Sequence, residues 1–317
     1  MSRKDYLSTP AKNLMLGLAI FVLSVHSALA ETAAETGKSQ KPGLLILSHG
    51  APTPSWNNAM TELTQKVNEL NAEKKVFHAV TSAMMEFAQP DAAAGIETLE
   101  AAGCDRIIVV PVFVCPTSHT HFDVPAVLGL YSSPSIRKTL EEENARIAKA
   151  SVPVTVTQTM SEGELLDWHV ESETLALSQN PQDEAVLIVA HGDAGHAPMI
   201  TTIFNRLLTR ACGSSGITSG NVVYCGVGQT YRQDVIPAIR ELSEQKKRVL
   251  VVGVYLVTSA KSLNDRSAVM PGNPHEPSGG RSASNPLEGI DVCFSDKGVI
   301  DHPKMPEWVL NAASDAL

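Results

Sequence analysis

No C-x-x-C pair occurs anywhere in this chain, and no G-x-x-x-x-G-K-[S/T] loop. The first absence removes the usual thiol redox motif and the paired-cysteine zinc clamp, and the second removes the commonest ATP site. Basic residues are also short. Lys and Arg number 25 against 34 Asp and Glu, a formal charge of −9, which makes nucleic acid a poor partner. Beyond one run near the N-terminus, no apolar stretch approaches membrane-spanning length. The five cysteines, Cys104, Cys115, Cys212, Cys225 and Cys293, are an odd number and cannot all pair internally. Cys115 and Cys225 sit in or beside apolar strand patterns and read as core residues. No disulfide is expected to be essential.

What is present begins with an export pattern. Arg3, Lys4 and Lys12 give a basic start, and Leu14 to Val25 is an apolar run too short to span a bilayer comfortably. Ala28-Leu29-Ala30 supplies small residues where a signal peptidase reads. Residues 1–30 are therefore expected to be a signal peptide and 31–42 a disordered polar leader. The mature protein is expected in the periplasm, free of the membrane. The alternative is an uncleaved anchor. No Cys follows the run, which argues against a lipoprotein. Loss of Arg3, Lys4, Lys12 and Asp5 would leave the mature chain still more acidic.

After Lys41, short apolar runs alternate with amphipathic segments. Strands are expected at 43–47, 76–81, 106–114 and 152–157, and helices at 55–71, from Pro90, and at 136–150. The first helix places Met60, Leu63, Val67 and Leu70 on one face. The near-continuous Ile and Val of 106–114 suit a parallel strand covered on both sides. The pattern then restarts, with strands at 185–190, 221–225, 248–256 and 290–294 and helices at 199–210, 234–244 and 306–317. Pro271 to Pro286, rich in Gly, Pro, Ser and Asn, reads as a mobile loop.

The two runs align. Leu45-Ile-Leu-Ser-His-Gly50 matches Leu187-Ile-Val-Ala-His-Gly192, Asp91 to Leu99 matches Asp234 to Leu242, and Arg106-Ile-Ile-Val-Val110 matches Arg248-Val-Leu-Val-Val252, at an offset of 142 or 143 residues. The fold class is α/β, with two repeated halves, 43–182 and 183–317. Each half is an open, mainly parallel sheet flanked by helices. In such sheets ligands bind beyond the carboxyl ends of the strands, and the cleft between two halves suits a large flat ligand.

Three polar residues of the first half fall at or just past those ends: His49, Glu86 and His119. Each alone has a structural explanation, as a strand-end His, a helix cap or a loop residue. Together, two imidazoles and a carboxylate suit a borderline divalent ion such as Co²⁺, Fe²⁺, Ni²⁺ or Zn²⁺. Without a thiolate they do not make a closed structural zinc site. The repeat supplies an internal comparison. His49 faces His191 in the alignment, Glu86 faces Gln229, and His119 faces Lys261. The second half has exchanged a carboxylate for an amide and an imidazole for an ammonium, so the first half reads as active and the second as degenerate. His121 adds an imidazole two residues beyond His119. His78, within an expected strand, reads as a core His, Trp168-His169 as structural, and His275 and His302 as solvated.

These stretches resemble the class II tetrapyrrole chelatases, above all the long-form sirohydrochlorin cobaltochelatases. The likeness rests on Leu45-Ile-Leu-Ser-His-Gly50, Glu86-Phe-Ala-Gln-Pro90, Arg106 to Phe113, the run through His119 to Asp123-Val-Pro125, and the closing Asp301-His-Pro to Leu317. The resemblance implies two chelatase-type domains facing across a cleft, with His49 and His119 as metal-binding histidines and Glu86 as the acidic residue beside them. It implies ATP-independent insertion of a metal, Co²⁺ first and Fe²⁺ or Ni²⁺ next, into a tetrapyrrole such as sirohydrochlorin. The metal is a substrate, and no prosthetic group is implied. Lys261 is expected to meet the substrate's carboxylates in the cleft. The sequence specifies neither a monomer nor an oligomer.

Two other classes fit parts of the pattern. An exported metal- or haem-binding protein using the same fold for storage or transfer would explain the signal peptide, and binds stoichiometrically where an enzyme turns over. A periplasmic solute-binding protein also has two α/β halves, but predicts no convergence of His and Glu.

Overall fold

A computed structural model of the chain describes residues 40–142, 145–226, 230–269 and 285–317. The expected signal peptide, most of the expected leader, most of the 271–286 loop and Gln229 lie outside the described residues.

From Pro42 onward, strands and helices alternate. The first sheet is built from β1 (Pro42–Ser48), β2 (Ala79–Met84), β3 (Arg106–Pro111) and β4 (Val154–Val156). Its helices are α1 (Pro54–Lys74), α2 (Ala92–Ala101), the short α3 (Val124–Val127) and α4 (Pro134–Glu142). After α5 (Leu165–Leu177) the second sheet follows, with β5 (Glu184–Ala190), β6 (Ser219–Tyr224), β7 (Arg248–Val254) and β8 (Asp291–Phe294). Its helices are α6 (Ala197–Ser215), α7 (Ile236–Gln245) and α8 (Ala260–Val269), and α9 (Met305–Ser314) closes the chain. All pairings are parallel, in the order β2-β1-β3-β4 and β6-β5-β7-β8. The second sheet thus repeats the topology of the first, and the expected α/β duplication is the fold observed.

The layering follows from side-chain alternation on buried strands. On β1, Leu44 and Ile46 face one core and Leu45 and Leu47 another. Leu44 and Ile46 share their core with Val186, Ile188, Leu250 and Val252 of the second sheet, through Val67, Leu166, Phe204 and Leu310 of the intervening helices. Leu45 and Leu47 pack instead against Ala92, Ile96 and Leu99 of α2. Helices therefore lie between the two sheets, α1 and α9 against the first and α5 and α6 against the second, and further helices cover the outer faces. Each buried Val, Leu, Ile or Phe side chain among these contributes on the order of 1.5–3 kcal/mol by leaving water.

Sequence order and packing diverge at one point. Helix α5, before the boundary drawn at 182/183, packs on α6 and β7 of the second half, whereas α9 packs on α1 and β3 of the first. Each half thus lends its closing helix to the other, and the central core belongs to both.

Three expected elements are corrected. The helix drawn over 136–150 ends at Glu142, because the residues beyond bind elsewhere. Ala148 donates to the Val127 carbonyl and is buried, and Arg146 chelates Asp91 and reaches Glu97. Strand β2 begins at Ala79 rather than Val76, since Asn71 holds both polar backbone groups of Phe77. His78 is then not a core residue. It is exposed just before the strand, its Nε2 hydrogen-bonded to the Ala102 carbonyl. Helix α2 starts two residues after Pro90, capped by Asp91 Oδ1 accepting from the Ala94 N–H at 2.8 Å.

Candidate metal centre

The carboxyl ends of β1, β2 and β3 lie side by side, with Ser48 in register with Met84 and Leu47 with Pro111. Residues just past these ends are brought together by topology alone. Beyond the last β1–β2 pair the backbones stay linked: Met85 N–H donates to Ser48 O and Glu86 N–H to His49 O, at 2.8 and 2.9 Å. Gly50 makes this approach feasible. Its φ is +88°, and a Cβ there would overlap the Glu86 carbonyl oxygen. His119 arrives from a wide turn, His119–Asp123, that follows β3 and leads into α3. Such wide turns favour side-chain placements that a regular helix does not reach.

One potential ligand atom from each of His49, Glu86 and His119 lies within 4.8 Å of the others. All three side chains are partly buried. Each imidazole is fixed through its other nitrogen. His49 Nδ1 is 2.9 Å from the Gly50 carbonyl oxygen, and His119 Nδ1 is 2.8 Å from Asp123 Oδ2. An oxygen acceptor at Nδ1 assigns the ring hydrogen to that atom, so the lone pair belongs to Nε2 in both rings. The two rings meet edge to face, and His49 also touches Phe87 and Phe113. Phe87, at φ +61°, is an unusual left-handed non-glycine residue, and 64% of it is exposed beside the imidazoles.

The centre opens on a cleft of about 650 Å³, to which both halves contribute. His49, Phe113 and His119 line one side, and His191, Asp193 and Tyr255 the other. His191 repeats the local geometry of His49, its Nδ1 2.9 Å from the Gly192 carbonyl oxygen. Cys115 also lines the cleft, but burial, reinforced by the negative Asp193, pushes its thiol up to about 12. It offers no thiolate. All five cysteines are free thiols.

The structure therefore brings together the three first-half residues singled out in the sequence. It treats Lys261 differently. That residue stands at the start of α8, its Nζ 2.7 Å from Asp265 Oδ2 and both side chains exposed. The hydrogen bond to Asp265 raises its pKa and ties the ammonium to its own helix. Lys261 does not line the cleft, and Arg266 does. Asp123 was visible only as a neighbour of His119, and its four-residue spacing is the signal that it orients the ring. His196 gave no local signal, since its partners are distant in sequence.

Residues 43–170 match the CbiX protein family. The sirohydrochlorin cobaltochelatase of Methanococcus maripaludis is 34% identical over 88 residues, 28% of this chain and 58% of the relative. That of Methanococcus aeolicus is 38% identical over 87 residues, 27% and 58%. This chain thus spans little more than half the length of these relatives. Among solved structures, SirB from Bacillus subtilis with Fe³⁺ superposes at a TM-score of 0.58 and 14% identity, over 87% of this chain and 97% of that one. The multi-domain protein DR2241 from Deinococcus radiodurans, described as similar to chelatases, superposes at 0.57 and 13% identity, over 87% of this chain and 55% of that one. The chain thus has the two-repeat α/β fold of the chelatases.

Proposed function

We propose that this protein inserts a divalent metal ion, Co²⁺ foremost, into a tetrapyrrole of the sirohydrochlorin class, without ATP. The observation that carries the reading is the convergence of His49, Glu86 and His119 at the mouth of a cleft, both imidazoles anchored through Nδ1. The local match to sirohydrochlorin cobaltochelatases supports the substrate class, and Co²⁺ rather than Fe²⁺ or Ni²⁺ rests on those relatives.

Insertion displaces two pyrrole N–H protons, so the site must hold a partly dehydrated ion on one side of the macrocycle and accept protons. Two Nε2 atoms and one carboxylate bind such an ion while leaving positions open for the macrocycle nitrogens. The same set is weaker than a thiolate cage and can release the ion. Glu86 offsets the metal's charge and is placed to take a proton, as are the imidazoles once the ion has left. Phe87 and Phe113 offer apolar surface to the ring, and Arg266 offers a cation to its carboxylates. The duplicated half then serves to close the cleft, with His191 on the facing wall.

Export is part of the proposal. The basic start, the Leu14–Val25 run and Ala28-Leu29-Ala30 support action in the periplasm after cleavage at Ala30. Sequencing of the exported protein should begin at Glu31, and an intact Met1 on the soluble product would overturn that point. The same pattern favours a second reading, in which the fold binds and transfers metal or tetrapyrrole without turnover. Incubating the mature protein at sub-stoichiometric concentration with sirohydrochlorin and Co²⁺, Fe²⁺ or Ni²⁺ separates the two. An absorbance change passing through many equivalents supports the chelatase, and one stopping at a single equivalent supports the carrier.

A further inference from the structure

His121 stands two residues beyond His119 on the same wide turn, yet its ring has a different partner. His121 Nδ1 lies 2.9 Å from His196 Nε2, and the rings stack with centroids 4.9 Å apart. His196 belongs to the other half, just ahead of α6. Its own Nδ1 is held by Asp193 Oδ2 at 3.2 Å, which leaves Nε2 as its lone-pair nitrogen. Asp193 is anchored in turn: its carboxylate accepts from the Ser118 N–H at 3.0 Å and the Gly195 N–H at 2.8 Å. The Ser118 hydrogen bond, with the others, holds the Asp193 carboxyl below the usual range. A carboxylate, two imidazoles and a backbone donor thus form a bridge between the halves, beside the cleft that Ser118, His119 and Asp193 line.

We propose that His121 and His196 are a second divalent-metal site, which holds the ion at the rim before it passes to His49, Glu86 and His119. Two nitrogens bound to one ion at about 2.0–2.1 Å are roughly 2.9 Å apart at a right angle and roughly 3.3 Å apart at a tetrahedral angle. The observed 2.9 Å matches the right-angle bite, and with the ring planes only 30° apart the exposed His121 ring turns to aim its lone pair at the ion that His196 faces. In the ion's absence one N–H···N hydrogen bond fills it, with His121 Nδ1–H donating to His196 Nε2. When the ion enters, His121 moves its hydrogen to its other ring nitrogen through water and remains neutral. Asp193 orients His196 and offsets part of the ion's charge, the arrangement by which carboxylates tune metal-bound imidazoles. With only two protein ligands, water completes the coordination and the ion stays exchangeable, as a loading position requires. The shared turn places one imidazole of each site two residues apart.

The loading role rests on the chelatase reading, whereas the site itself does not. The test is equilibrium dialysis of the full chain against Co²⁺, with any purification tag removed and no tetrapyrrole present. Wild type should bind two ions per chain. His196→Ala should bind one, and so should His49→Ala/His119→Ala. His121→Ala, a change at an exposed residue, provides a second probe if the His196 variant misfolds, and should also bind one. At limiting Co²⁺, His121→Ala should load the central site several-fold more slowly. A wild type binding a single ion, or two ions retained by both His121→Ala and His196→Ala, would overturn the site. Two ions in wild type and one in each variant, but no insertion into sirohydrochlorin by wild type, would uphold the site and sink the chelatase reading instead.

Discussion

The rings of His49 and His119 meet edge to face, their centroids 4.8 Å apart and their planes at 81°. The two residues are 70 positions apart in sequence and hang from different strands, so neither could be placed without the other strand's register. Their other nitrogens are both committed, to Gly50 O and to Asp123 Oδ2. The pair thereby presents two Nε2 lone pairs whose placement depends on residues outside the trio.

Asp123 is the first of these. Asp123→Asn keeps the shape but exchanges an acceptor carboxylate for an amide able to present its donor to Nδ1. The ring can then be held in the wrong tautomer. Losses of such outer partners run to about 10–100-fold in metal affinity or activity. Titration with Co²⁺ should show a drop in that range with an unchanged circular dichroism spectrum.

Gly50 is the second. Gly50→Ala places a Cβ on the Glu86 carbonyl and forces a side chain into φ +88°. The β1–β2 linkage must spread, carrying Glu86 away from the imidazoles. A stability loss of about 1–3 kcal/mol is expected, together with a larger loss of Co²⁺ affinity than Glu86→Gln produces. Urea unfolding and metal titration of both variants check it. Equal affinities in the two would count against the close approach.

Among the described residues Arg266 lines the cleft and Lys261 does not. Arg266→Ala should raise the KM for sirohydrochlorin several-fold, more so at low ionic strength, and leave Co²⁺ affinity unchanged. Lys261→Ala should leave KM near wild type, because that residue does not line the cleft and its ammonium is paired with Asp265 on its own helix. The two saturation curves, measured side by side at two salt concentrations, distinguish the residues.

A pH dependence of stability follows from His169, which is 1% exposed on α5 and donates Nε2–H to the Gly253 carbonyl of β7. Burial lowers its pKa to about 4. The unfolded chain protonates this imidazole near pH 6.5 and the folded chain does not, so the stability present above pH 6.5 is lost as pH falls toward 4. The shift corresponds to about 3 kcal/mol. Urea midpoints at pH 7 and pH 5 should differ clearly for wild type and less for His169→Gln.

Strand alternation, the 142-residue repeat and the trio His49, Glu86 and His119 were all legible in the sequence, because strand ends on one sheet edge are neighbours whatever the loops do. What escaped was decided by contacts between distant segments. Residues 145–150 carry helical spacing, but Ala148 and Arg146 find partners on 127 and 91. Lys261 looked like a cleft cation until Asp265, one helical turn away, took its charge. The exchange of α5 and α9 between halves leaves no periodic trace, since both helices need only an apolar face. His196 stands out only once its ring is seen against His121.

The account turns on the first half holding the ion and the second half serving as the wall. The direct measurement is the initial rate of Co²⁺ insertion into sirohydrochlorin by His49→Ala and His191→Ala, residues with the same local geometry on opposite sides of one cleft. The account predicts that His49→Ala falls at least about 100-fold, a loss of roughly 2.7 kcal/mol in transition-state stabilisation, while His191→Ala keeps most of the wild-type rate. Equal losses in the two variants, or a near-normal rate in His49→Ala, would contradict it.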